Sequence, residues 1–175
     1  MTLSTSFLDF PSPSGIAVIL FFEGCDFSCP NCQNKYLQKH GDNSILLSTL
    51  YDHIISYSIK NYAKQIVFSG GDPLSTRNRN TCFEILHFLN KHEYKICIYT
   101  GYSIDEIKKF DNEIPLYTYI KCGIYDESKK QESKKTDEYI SLASTNQELY
   151  YKTSFGLNKI SKNGIYYFNK GKIWT

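Results

Sequence analysis

A chain of 175 residues that is 41% hydrophobic fills one sizeable core and leaves little for a second, so a single domain over 1–175 is expected. Its 20 basic and 18 acidic residues nearly cancel, which argues against nucleic acid or an anionic membrane as partner and leaves small molecules and proteins. No apolar run approaches the roughly 20 residues of a membrane span, and Met1–Phe10 lacks the basic-then-apolar order of a signal peptide. A cytoplasmic location is therefore expected, with the six cysteines as free thiols for metals, catalysis or packing.

After a turn-rich opening with Pro11, Pro13 and Gly15, the run Ile16–Phe22 is continuously apolar, as a buried parallel strand is. It stops at Gly24, one residue before Cys25. Ser48 stands where it can cap a helix whose apolar positions Leu47, Leu50, Ile54, Ile55 and Ile59 recur at helical spacing. Ile66–Phe68 form a second strand, broken at Gly70, Gly71 and Pro73. A helix is predicted from near Thr81, with Glu84 completing a capping box and Ile85, Leu86, Phe88 and Leu89 forming its apolar face. Lys95–Tyr99 is a third strand ending at Gly101, Ser103 and Glu106 make a second capping box, and Leu116–Lys121 is a fourth strand. Asp126–Glu138 carries many charges and no apolar face, and reads as a solvated loop. Ile165–Phe168, the turn Asn169-Lys170-Gly171, and Ile173 and Trp174 predict a C-terminal β-hairpin.

Strands alternating with helices imply an α/β fold with a parallel sheet and right-handed crossovers, in which ligands bind beyond the carboxyl ends of the strands. Two segments fall there. The first, GCDFSCPNC, sets Cys25, Cys29 and Cys32 in a C-x-x-x-C-x-x-C pattern. Soft thiolates suit iron–sulfur centres and zinc alike, but a structural zinc site is closed by a fourth ligand, whereas three protein ligands leave one iron of a cubane open. Zinc completed by His40 or Cys122, or three unrelated buried thiols, is the alternative. Cys82, Cys97 and Cys122 lie in apolar patterns and read as core residues.

The second segment, QIVFSGGDP, runs a strand into Gly70 and Gly71, whose missing side chains let a ligand approach the backbone; an ordinary turn is the alternative. Tyr99, Thr100 and Tyr102 are candidates for the wall of the same pocket or for aromatic packing at a strand end. None of His40, His53, His87 and His92 sits in a catalytic pattern.

The three-cysteine loop after the first strand, followed by GGDP after the second, resembles the radical S-adenosylmethionine superfamily. The resemblance implies a [4Fe–4S] cluster on Cys25, Cys29 and Cys32, with no catalytic residue beyond these ligands. It also implies S-adenosylmethionine bound through its methionine end at the open iron. Gly70, Gly71 and Asp72 match the family's glycine-rich turn, with Asp72 in place of the more frequent glutamate. Cofactor contacts are expected at Asn31, Cys32, Gln33, Gly70, Gly71, Asp72 and Thr100, although Asn31 and Gln33 stand where the family often has aromatic or small residues.

The segments GCDFSCPNCQN, FSGGDPL, IYTGYSIDEI, YIKCGIYDES and ASTNQELY occur in the order seen in activating proteins of anaerobic ribonucleoside-triphosphate reductase. This narrower resemblance implies a truncated (partial) TIM-barrel-like parallel sheet with flanking helices. Its implied activity is generation of a glycyl radical on the large subunit of that reductase, with a one-electron donor such as flavodoxin or ferredoxin. An activase for another glycyl-radical enzyme such as pyruvate formate-lyase, and a non-enzymatic zinc or iron–sulfur module, are the competing readings.

Overall fold

The strands of the main sheet lie side by side in the order in which the chain makes them, and this order places the loops that matter. The computed structural model describes residues 1–6, 9–13, 15–41 and 46–168. Strand β1 (Thr2–Ser6) pairs antiparallel with β2 (Ala17–Phe22). Helix α1 (Leu47–Lys60) carries the chain to β3 (Gln65–Gly70), helix α2 (Arg79–Lys91) to β4 (Lys95–Tyr99), and the short helix α3 (Ile104–Ile107) with a following 3-10 segment, Lys108–Glu113, to β5 (Tyr119–Cys122). Strands β2 to β5 are parallel neighbours. After β6 (Lys134–Lys135) and β7 (Tyr139–Ser141), strands β8 (Glu148–Thr153) and β9 (Gly156–Lys159) extend the main sheet antiparallel from β5, and β10 (Ile165–Tyr167) pairs with β7. The result is a mixed α/β fold with a mostly parallel seven-stranded sheet and a second sheet in the order β10-β7-β6.

The parallel strands are buried on both faces, which is why β2 is an unbroken apolar run rather than an alternating one. Period two still sorts the side chains. Val18, Leu20, Phe22, Ile66, Phe68, Ile96, Ile98 and Ile120 pack on the helix side with Leu50, Ile54, Leu86 and Leu89. Ala17, Ile19, Val67 and Cys97 face the other way, onto Phe10, Ile140, Leu142 and Tyr166. The small sheet therefore covers the face that the helices leave bare.

Several expectations need correction. Ser48 does not cap α1; Leu46 holds the N-cap position in extended backbone with no side-chain bond, so Ser48 falls inside the first turn. Ile59 is 68% exposed, because the buried stripe is Leu50, Ile54 and Ser58, at successive spacings of four. Winding of α2 begins two residues before Thr81, and the Thr81–Glu84 capping box does not form. The N-cap residue Asn78 spends its side chain elsewhere. The box at Ser103 and Glu106 is present, but the helix behind it is a single turn. The fourth strand starts at Tyr119, since Tyr117 takes a left-handed φ of 65° that interrupts extension. The charged stretch 126–138 is mostly exposed yet contains a 3-10 turn, Glu127–Lys129, and β6. Strands β1, β8 and β9 carry no expectation from sequence. The first arm of the terminal hairpin is β10, paired with β7, while its turn and second arm lie outside the described residues.

Candidate metal and cofactor site

The register of the parallel strands builds the floor of a cavity. Ile19, Val67, Cys97 and Tyr119 stand level across β2, β3, β4 and β5, and two residues on, Phe21 is level with Ser69 and Tyr99 with Lys121. Alternation points this second row the same way as the first. Phe21, Ser69, Tyr99 and Lys121 all line one cavity of about 340 Å³, walled on the far side by Ser133, Ile140, Ser141, Leu142, Ala143 and Gln147. Cys25, Cys29, Cys32 and Gln33 from the cysteine loop line it too, as do Gly70, Gly71, Asp72 and Thr100 at the carboxyl ends of β3 and β4. Two segments some 45 residues apart in sequence thus meet at one opening. Asn31 does not line the cavity; it is exposed, with a left-handed φ of 54°. Tyr102 lies outside the lining as well.

The cysteine loop is shaped by bonds from every side. Gly24 N–H donates to Leu37 O (2.7 Å), and Cys25 N–H donates to Gln38 O (3.0 Å). Asp72 N–H donates to Gly24 O (2.8 Å). Asn78 Nδ2 donates to Glu23 O, Gly24 O and Asp72 O at 3.0, 3.3 and 2.9 Å, joining the two segments through one amide. Asp26 accepts from Thr76 N–H, Thr76 Oγ1 and Tyr102 Oη at 2.7, 2.8 and 2.6 Å. Partial desolvation raises the pKa of Asp26, but these hydrogen bonds outweigh it and hold the carboxyl below its ordinary range. Phe27 packs edge-on against Tyr102, with ring centroids 5.0 Å apart.

Gly70 and Gly71 serve the protein backbone. A Cβ on Gly71 would stand 2.3 Å from Gly24 O and 2.7 Å from Leu37 O, and one on Gly70 would stand 2.4 Å from Phe22 O. Gly70 also has a φ of 110°. Close approach to the backbone of β2 and a positive φ therefore account for Gly70, and close approach to the cysteine loop for Gly71. Asp72, 1% exposed, accepts from Leu74 N–H (2.8 Å), Thr100 Oγ1 (2.9 Å) and Gly101 N–H (2.7 Å). Burial pushes its carboxyl up to about 6 against the lowering effect of these donors. The carboxylate braces the ends of β3 and β4, with Thr100 Oγ1 shared between its two oxygens.

Sulfur chemistry follows from the surroundings. Cys25, Cys29 and Cys32 are partly exposed, whereas Cys82, Cys97 and Cys122 are buried. Burial pushes the Cys25 thiol up to about 11, opposed by the Phe27 N–H that donates to its Sγ at 3.4 Å. Cys29 is raised by burial as well, with a main-chain hydrogen bond from Tyr125 opposing it. These N–H groups favour thiolate over thiol, as metal ligation requires. Among the described residues no three His, Cys, Asp or Glu side chains converge as ligands of a single ion. The His40 ring packs against Gly24, next to Cys25, and Cys122 is buried. Three partly exposed thiols on one loop have the soft-donor chemistry of an iron–sulfur cluster or of zinc.

Several residues at this site have roles that reading the sequence did not assign. Lys121, whose Nζ lies 4.4 Å from the Tyr99 ring centroid, has its ammonium pulled below the usual lysine range by burial. Tyr99 donates its hydroxyl to Asp9 O. The Ser144-Thr145-Asn146-Gln147 run forms a turn, with Gln147 N–H donating to Ser144 O (3.1 Å), and it clamps the end of β5. Asn146 Nδ2 donates to Ile124 O (2.9 Å) and Gln147 Nε2 to Gly123 O (3.3 Å). The alternation at strand ends was the available signal for Lys121; Asp26 lies within GCDFSCPNC and Gln147 within ASTNQELY, but neither segment shows what its side chain bonds.

With this geometry in place, the chain was compared with known proteins. The anaerobic ribonucleoside-triphosphate reductase-activating protein of Enterobacteria phage T4 is 27% identical over 105 residues, covering 59% of this chain and 67% of that protein. The protein of the same name from Escherichia coli (strain K12) is 28% identical over 104 residues, 57% of this chain and 68% of that one. The one from Salmonella typhimurium is 27% identical over the same length. A family model described as a 4Fe-4S single cluster domain matches residues 13–150. That span takes in the cysteine loop, the glycine turn and the clamp that closes β5, and the chain belongs to the 4Fe-4S single cluster domain family.

Proposed function

We propose that this protein is a radical S-adenosylmethionine activase that installs a glycyl radical on the large subunit of anaerobic ribonucleoside-triphosphate reductase. The observation that carries this reading is the meeting of Cys25, Cys29 and Cys32 with Gly70, Gly71 and Thr100 around one cavity at the carboxyl ends of parallel strands. The names of the relatives point the same way. Cys25, Cys29 and Cys32 are the cluster ligands in this reading, and the sequential order of β2 to β5 supports a truncated, TIM-barrel-like wall within a single domain. When bound, the cluster supplies one-electron reductive cleavage of the sulfonium, giving methionine and a 5′-deoxyadenosyl radical that takes a hydrogen atom from glycine.

The chain's own residues position and shield. Phe27 N–H and the Tyr125 main chain direct hydrogen bonds at two thiolates, a lever on cluster potential. Asn78 and Asp26 hold the loop against the turn carrying Gly71. Ile140, Leu142 and Ala143 limit water on the far side of the cavity. No general acid or base is needed in this reading. An acidic one-electron donor such as flavodoxin or ferredoxin, in the cytoplasm, completes the scheme; no helix of the described residues is long and apolar enough to cross a membrane.

The test is anaerobic electron paramagnetic resonance of the reduced, cluster-loaded protein with S-adenosylmethionine and the reductase large subunit. A partner-localised glycyl radical signal is expected. Cofactor cleavage without that signal on a cognate reductase would leave the cluster chemistry standing and sink the activase assignment.

A further inference from the structure

Gln147 is 7% exposed, and among the described residues its Oε1 is one of the few buried side-chain oxygens with no hydrogen-bond partner. The amide orientation is set by Gly123 O, an acceptor that requires the Nε2 donor opposite it. The oxygen left over sits on a side chain that lines the cavity shared with the three cysteines. A buried acceptor without a donor is costly, and native folds keep one where something else supplies the donor.

The surroundings define that donor. Ala143 precedes the turn that presents Gln147, and Ile140 and Leu142 line the same wall with Ser133 and Ser141 beside them, so apolar surface flanks the amide on one side. Neutral Oε1 suits a neutral N–H on a flat apolar group. The second hydrogen of Nε2 stays available, so the amide can accept from an exocyclic amine and donate to the adjacent ring nitrogen, the pairing by which glutamine reads adenine. We infer that Gln147 is the residue that selects a 6-aminopurine, reading the base of S-adenosylmethionine against 6-oxo bases. This rests on the proposed function for the identity of the cofactor. It gives the STNQ run a role beyond clamping β5: the Gly123 bond orients the amide that meets the base.

Calorimetric titration of the cluster-loaded protein, with the cluster oxidised so that nothing is cleaved, tests the assignment using S-adenosylmethionine and its 6-oxo analogue, S-inosylmethionine. The wild-type chain is expected to prefer the adenosyl compound about 10- to 100-fold, since a 6-oxo group sets oxygen against Oε1. Gln147→Leu is expected to abolish the preference by weakening S-adenosylmethionine alone, and Gln147→Met, nearly isosteric, does the same if the leucine variant folds poorly. A preference retained in both variants, or equal weakening of both compounds, overturns the inference. So does unchanged cofactor affinity with a raised KM for the partner, which would assign the amide to the peptide. Failure of the wild-type protein to bind S-adenosylmethionine at all would instead remove the proposed function.

Discussion

Cys25, Cys29 and Cys32 differ from the other three cysteines in what the fold lets them reach. The first three open onto the cavity, while Cys82 and Cys97 are fully buried among apolar side chains. Replacing any of the loop cysteines with alanine is expected to abolish stable cluster, measured as iron per chain and visible absorbance. Cys82→Ala and Cys97→Ala are expected to keep the iron and lose about 1–3 kcal/mol of stability in urea. Asp72 makes a pH prediction. Its folded-state value is raised by burial to about 6, so the folded chain holds this proton more tightly than the unfolded one. The contribution is fully present below the ordinary carboxylate value and is lost as pH rises through about 6. Urea midpoints of the wild-type chain measured against Asp72→Asn are expected to fall between pH 4 and 7; a flat difference would show that the Gly101, Leu74 and Thr100 donors cancel the burial. The identity of these residues was legible in the sequence, since thiol spacing is local. What Asp72 does was not, because its donors come from Thr100 and Gly101, 28 and 29 residues away.

At the scale of elements, the junction between the cysteine loop and the end of β3 decides whether a cluster can be held. The sequence suggests that Gly71 clears space for a ligand; the structure shows that an added Cβ meets the backbone of Gly24 and Leu37 first. Gly71→Ala is therefore expected to push the cysteine loop away and reduce cluster content. Gly156→Ala, at a glycine with φ 102° and nothing within 4 Å, is expected to cost only about 1–2 kcal/mol of backbone strain. Retained iron in Gly71→Ala with weakened cofactor affinity would restore the ligand-clearing reading. The Asp26 latch is a second element-scale device. Asp26→Ala removes acceptors for Thr76 and Tyr102 and is expected to raise the rate of iron loss to a chelator, with Tyr102→Phe giving a smaller change of the same sign. The four parallel strands were legible because buried β-branched runs and glycine stops are local patterns. Helix starts were less so: Asn78 caps nothing and bonds Glu23, Gly24 and Asp72 instead, a tertiary use of a residue that local rules assign to a helix end.

Across the whole molecule, the main sheet has helices on one face and the β10-β7-β6 sheet on the other, and the cavity lies between the two sheets at the strand ends. Leu142, 3% exposed, joins that layer to the core. Leu142→Ala is expected to cost about 2–5 kcal/mol in denaturant unfolding, because the two sheets cannot close over the lost volume. A cost under about 1 kcal/mol would show that the small sheet is only loosely seated. The sequence by itself determined the parallel β2 to β5 order, the three-thiol loop and the glycine turn, since each rests on residue spacing within one segment, and the resemblance it supports agrees with the family found. Only the tertiary structure decided that β8 and β9 extend the sheet, that the small sheet roofs the cavity, and that Gln147, Tyr125 and Lys121 join the cysteines. Those placements depend on contacts between segments far apart in the chain, where burial and unsatisfied hydrogen-bonding groups, rather than local periodicity, choose the partner.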